Sequence, residues 1–168
     1  MERARCFAVL FTYLCMQSLL AQATKPAAVF KTALDHIQGK TRIPIMLPSK
    51  LPAPIRESDI KLASGEVRED GYFISLYFGD IGSNASYAAG FGGSTRSLQA
   101  TELPNTHTVA LTHGRTGVFR PVSCAPANLW WEQRGVMYQI QIKLNSETTE
   151  EDQQTILVAA ANSIIRAR

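Results

Sequence analysis

Cysteine, histidine and charge are all scarce in this chain. Its 168 residues hold 3 cysteines and 3 histidines, and Asp, Glu, Lys and Arg together make up 18%. So little charge excludes a disordered acidic tail and a supercharged nucleic-acid binder. No apolar run of about 18 residues or more lies in the body of the chain, which excludes a polytopic membrane protein. There is no His-Glu-x-x-His pattern, no paired Cys-x-x-Cys and no glycine-rich loop followed by Gly-Lys-Ser/Thr, so the common zinc and phosphate-loop signatures are missing. What is present is a hydrophobic fraction of 45%, sufficient for one core in a chain of one-domain length.

The first 23 residues have the pattern of a secretory leader. Arg3 and Arg5 supply a positive start, Cys6–Leu20 is a mostly apolar run, and Ala21-Gln22-Ala23 is a small-x-small site, so cleavage is expected after Ala23. Removing this segment takes two of the 17 basic and one of the 14 acidic residues, leaving 15 and 13, a net charge of +2. It also takes Cys6 and Cys15, so Cys124 would be alone and an intramolecular disulfide impossible. The expected protein is a single domain over residues 24–168, periplasmic or secreted, with no membrane attachment after cleavage. Its near-neutral balance gives no electrostatic case for nucleic acid.

The mature chain opens with a helix candidate at 27–38. Pro26 and Gly39 bracket it, and Phe30, Ala33, Leu34 and Ile37 fall on one face. Four prolines, Pro44, Pro48, Pro52 and Pro54, then forbid helix and predict an extended segment pinned against a core. Strand candidates follow at 58–67, 72–78, 86–92, 107–112, 118–123 and 128–133. The clearest comes last: Val136, Tyr138, Ile140, Ile142 and Leu144 alternate with Met137, Gln139, Gln141 and Lys143. That period of two predicts one face in the core and one face wet, as in an antiparallel sheet. Arg134-Gly135 is the expected turn before it. Thr148 with Glu151 reads as a capping box opening a final helix, with Ile156, Leu157, Ala160 and Ile164 buried and Arg166 and Arg168 at its negative end. Strands in sequence with a helix at each end predict an α+β fold: one curved antiparallel sheet of about six strands with both helices packed on one face.

Two segments carry a family resemblance. Ile43–Pro52 (IPIMLPSKLP) holds a Leu-Pro-Ser-x-Leu-Pro pattern, and Leu129–Ile165 holds Trp-x-x-x-Gly-x-x-Tyr-x-Ile, then an acidic-capped helix ending in Ala-x-Ser-Ile. Together these resemble a family of bacterial extracytoplasmic domains of unknown function, found in secreted proteins, in lipoproteins and on the outer side of anti-sigma factors. The resemblance implies an extracytoplasmic sensory, binding or accessory module and carries no catalytic residue.

Three function classes follow. The leading expectation is an exported, non-enzymatic binding or accessory domain of the cell envelope, with no cofactor or metal, whose partner is an unidentified protein or small ligand. Its candidate surface is the wet sheet face of Met137, Gln139 and Gln141 with the long 93–106 loop, and a cluster of Arg96, Arg115, Arg120 and Arg134, in or beside loops around the sheet, would point to an anionic ligand or acidic partner. The second is a small hydrolase using Cys124 as nucleophile with His107 or His113, which bracket one strand candidate. The third is an inhibitor or immunity-type protein acting through a protein interface. Of the adjacent tryptophans, Trp131 shares a face with Leu129, and at least one indole is expected in the core.

Overall fold

A computed structural model describes residues 25–81, 85–96, 103–122 and 126–166. The expected leader with Ala21 and Ala23, as well as Cys124 and Arg168, lies outside them. The described residues form two α-helices, α1 (Lys31–Ile37) and α2 (Glu150–Asn162). The strands are β1 (Met46–Pro48), β2 (Leu62–Arg68), β3 (Gly71–Tyr77), β4 (Tyr87–Ser94), β5 (His107–Ala110), β6 (Thr116–Arg120), β7 (Ala127–Gln133), β8 (Val136–Ile142) and β9 (Ile164–Arg166).

The fold is α+β, with one open antiparallel sheet of seven strands in the order β2-β3-β4-β8-β7-β6-β5. Two meanders, β2–β4 and β5–β8, meet along β4 and β8, where Phe91 stands opposite Ile140. Within β8 the alternating pattern holds: Val136, Tyr138, Ile140 and Ile142 are buried, and the residues between them are half-buried. The turn before it is as tight as a hairpin allows. Arg134 (φ 55°) and Gly135 (φ 74°) both have positive φ, the requirement of a two-residue turn matched to strand twist.

Both helices lie on the face that carries Ile74, Phe91, Leu129 and Ile140. Phe30, just before α1, meets Phe91 edge-on with ring centroids 5.2 Å apart. Gly65 lets α1 close onto β2, because a β-carbon there would stand 2.7 Å from the Ala33 carbonyl oxygen and from Ile37 Cγ2. At the other end of the sheet α2 packs on β7 and β8 through Leu157, Ala160 and Ala161, all buried. Trp131 enters this core at 2% exposure and stacks on Tyr138, with centroids 5.7 Å apart.

The proline-rich segment is pinned here by two tyrosines. The Tyr72 hydroxyl accepts from the Met46 backbone N–H (2.9 Å), and the Tyr138 hydroxyl donates to the Pro44 carbonyl (3.2 Å). Burial pushes the Tyr72 phenol well above its ordinary range.

Three expectations change. The sheet has seven strands rather than about six, and β1 and β9 form a separate two-stranded ribbon, Leu47 opposite Ile165. The first α-helix is shorter than 27–38, since Ala28–Phe30 is a 3-10 turn. The last helix opens one residue later than expected. Thr149 is the N-cap, its Oγ1 accepting from Asp152 N (3.2 Å) and donating to the Asp152 carboxylate (2.7 Å). That helix also stops at Asn162. Ile164 and Arg166, expected inside it, belong to β9, where the β-branched pair Ile164-Ile165 finds an extended partner in β1.

Candidate functional site

With the helices on one face, the opposite face of the seven-stranded sheet carries neither of them. Antiparallel register assembles it: Glu66 stands opposite Phe73, Phe73 opposite Gly92, Gly92 opposite Gln139 and Gln139 opposite Trp130. Three strands beyond Phe73, Trp130 is only 4% exposed, and the Arg120 guanidinium carbon sits 5.6 Å from its ring centroid. Its Nε1 is buried without a hydrogen-bond partner among the described residues.

The face is less wet than the sequence predicts. Met137, Gln139 and Gln141 are half-buried, and both amides are held. Gln139 Nε2 donates to Asn128 Oδ1 (2.9 Å), and Gln141 Oε1 accepts from the Tyr87 hydroxyl (3.0 Å). Asn128 is itself buried and donates to the Pro126 carbonyl. The Tyr87 phenol is pushed up by burial and, to a lesser degree, by neighbouring Tyr77.

At one end of this face lies a depression of about 230 Å³. Its floor is built by Phe73 and β4. A β-carbon on Gly90 or Gly92 would run into the Phe73 ring, so the glycines leave room for that ring across the strand. Arg68 places its guanidinium carbon 5.9 Å from the centroid of the same ring. The opposite wall is Met137 and Gln139, and the rim is Asp70, Ser94 and Arg96.

The charges here are paired. Arg68 donates twice to Glu66, Nε to Oε1 at 3.3 Å and Nη2 to Oε2 at 3.1 Å. Those hydrogen bonds, then the positive charge itself, hold the Glu66 carboxyl below its ordinary range. Asp70 Oδ2 accepts from Ser94 Oγ and lies 3.3 Å from Arg96 Nε. The lining thus holds two guanidiniums and one carboxylate, Asp70, and Glu66 just outside it balances Arg68. Asp70 Oδ1 and Gln139 Oε1 have no hydrogen-bond partner among the described residues.

The four arginines do not gather at one point. Arg96, Arg115 and Arg134 lie toward the end of the sheet marked by the β7–β8 turn. Arg115 donates to the Thr112 carbonyl and to Gln133 Oε1. Arg134 is exposed in the turn itself. Arg120 is at the opposite end, paired in register with Asn128.

The histidines of the hydrolase reading are also apart. His107 Nε2 is 2.7 Å from Gln154 Oε1, in the second turn of α2, and its Nδ1 is 3.7 Å from Glu150 Oε1. His113 sits in a left-handed turn (φ 59°), beside Thr112, whose N–H and hydroxyl reach Asn162. Gln154 and Asn162 are eight residues apart on α2, about 12 Å along the helix, so the two histidines flank its two ends. Among the described residues no group of three or more His, Cys, Asp or Glu is placed to hold a metal, and no helix is long and apolar enough to cross a membrane.

Sequence reasoning identified Arg96, Met137 and Gln139 but missed Arg68, Asp70 and Phe73. The signal available for them was the glycine alternation Gly90-x-Gly92 in a strand, which points to a large ring on the neighbouring one. Protein-family models, curated proteins and solved structures offer no match to this chain.

Proposed function

We propose that this protein is an exported, non-enzymatic binding module of the bacterial cell envelope, and that it engages its ligand or partner on the helix-free face of the sheet. One observation carries the reading. A face left bare by both helices is nonetheless built with care: Phe73 laid over glycines, Gln139 and Gln141 locked by Asn128 and Tyr87, and a depression at its end. A face that only met solvent would need none of these fixed side chains. The leader pattern and the resemblance to extracytoplasmic domains support the location. In this reading both resembling segments are scaffold. Ile43–Pro52 supplies the β1 ribbon tied by Tyr72 and Tyr138, and Leu129–Ile165 supplies the hairpin and helix that hold β8 in place.

Fractionation and site-specific photo-crosslinking test this together. Cells expressing the protein should yield a form beginning at Thr24 in the periplasm or the medium. A photoreactive residue replacing Met137 should capture an envelope component, and the same residue replacing exposed Asp35 on α1 should not. Capture from position 35 alone, or an intact Met1 on cytosolic material, would overturn the proposal.

A further inference from the structure

Resting on that reading, we infer that the depression beside Phe73 is a binding site for a neutral saccharide. The argument begins with charge. Arg68 is doubly bonded to Glu66, and Arg96 is paired with Asp70. An incoming anion would meet two guanidiniums that are already engaged, Arg96 by Asp70 in the lining and Arg68 by Glu66 beside it, and a zwitterion would have to displace both existing pairs. Neither gains what a free arginine offers.

A hydroxyl-rich neutral ring meets a better match. Among the described residues Asp70 Oδ1 and Gln139 Oε1 are open acceptors, and each guanidinium keeps nitrogens outside its ion pair as open donors. Sugar hydroxyls both donate and accept, so they use these remaining valences and leave the ion pairs standing. Planar side chains fixed by their own partners suit this task, because little rotamer freedom is lost on binding.

The apolar half of the site fits the same ligand. A pyranose ring has a C–H face as well as a hydroxyl edge. Phe73 and Met137 line the depression with apolar surface, and the polar groups stand around it. At about 230 Å³ the space is scaled to one sugar unit.

The test is an NMR titration of the purified, ¹⁵N-labelled protein. The probes are maltose, cellobiose, lactose and N,N′-diacetylchitobiose, with sodium phosphate and the dipeptide Gly-Phe as the anionic and zwitterionic arms. At least one saccharide should shift the amides of Gly92–Arg96 and Met137–Gln139 with millimolar affinity, and Asp70→Ala should weaken it about tenfold. Phe73→Leu should do the same. If that variant misfolds, Asp70→Ala decides alone, because Asp70 lies in a surface turn.

Shifts from phosphate or Gly-Phe only, no response to any saccharide at tens of millimolar, or a response unchanged in Asp70→Ala would overturn the inference. A silent titration together with a Met137 crosslink defeats the saccharide assignment and leaves the binding reading intact. Failure of both defeats both.

Discussion

Phe73 lies against the backbone of Gly92: a β-carbon at position 92 would stand 2.7 Å from Phe73 Cδ2. The contact joins β3 to β4 on the open face and fixes the floor of the candidate site. Gly92→Val should therefore lift the ring and disturb the fold, at a cost of about 1–3 kcal/mol. Urea denaturation measures the loss. An unchanged midpoint would show that the ring moves freely and that the floor is not fixed.

A second prediction concerns the last helix. Thr149→Ala should cost about 1 kcal/mol, and Thr148→Ala much less, because the capping hydroxyl is Thr149 Oγ1 on Asp152 N. The comparison is a pair of thermal or urea unfolding curves. Equal losses, or a greater loss at 148, would place the cap one residue earlier.

Gln153 supports a third. It is buried, its Oε1 accepts from the Val122 N–H (2.7 Å), and its Nε2 donates to the Thr148 carbonyl (2.8 Å). The amide thus ties α2 to the segment leaving β6. Gln153→Leu keeps the bulk and orphans both backbone groups, so stability should fall by about 1–3 kcal/mol. Faster hydrogen exchange at the Val122 amide is the local readout.

Alkaline pH gives a fourth. Tyr72 and Tyr87 are both raised by burial above the ordinary phenol value of 10.0. The folded state then holds these protons more tightly than the unfolded state does. Their contribution is fully present below about pH 10 and declines as pH rises past it, since only the unfolded chain deprotonates readily. Stability measured from pH 8 upward should stay level with respect to these groups and then drop above about pH 10. In Tyr87→Phe that drop should be shallower.

Much of the fold was legible because period-two alternation survives in the strands that matter. Val136–Ile142 announces its own buried face, and the Arg134-Gly135 turn fixes the hairpin it closes. The ribbon was harder to read. Ile164–Arg166 follows a helix without a glycine or proline to end it, and only its distant partner Met46–Pro48 makes it a strand. The candidate site was half legible. Met137 and Gln139 lie on a visible pattern, but Arg68, Asp70 and Phe73 reach them only through β4, and a sequence does not state which strands are neighbours. The joining of β4 to β8 across some fifty residues is a tertiary fact. It also explains why Gln141 reads as solvated and is instead tied to Tyr87, while Gln139 is tied to Asn128 within the β7–β8 hairpin.

The most direct test of the helix-free face as the working surface is hydrogen exchange of the purified protein with and without envelope extract. Slowed exchange should be confined to Gly92–Arg96 and Met137–Gln139, with α1 and α2 unaffected. Protection that falls on α1, α2 or the β1–β9 ribbon and spares the strands around Phe73 would contradict it.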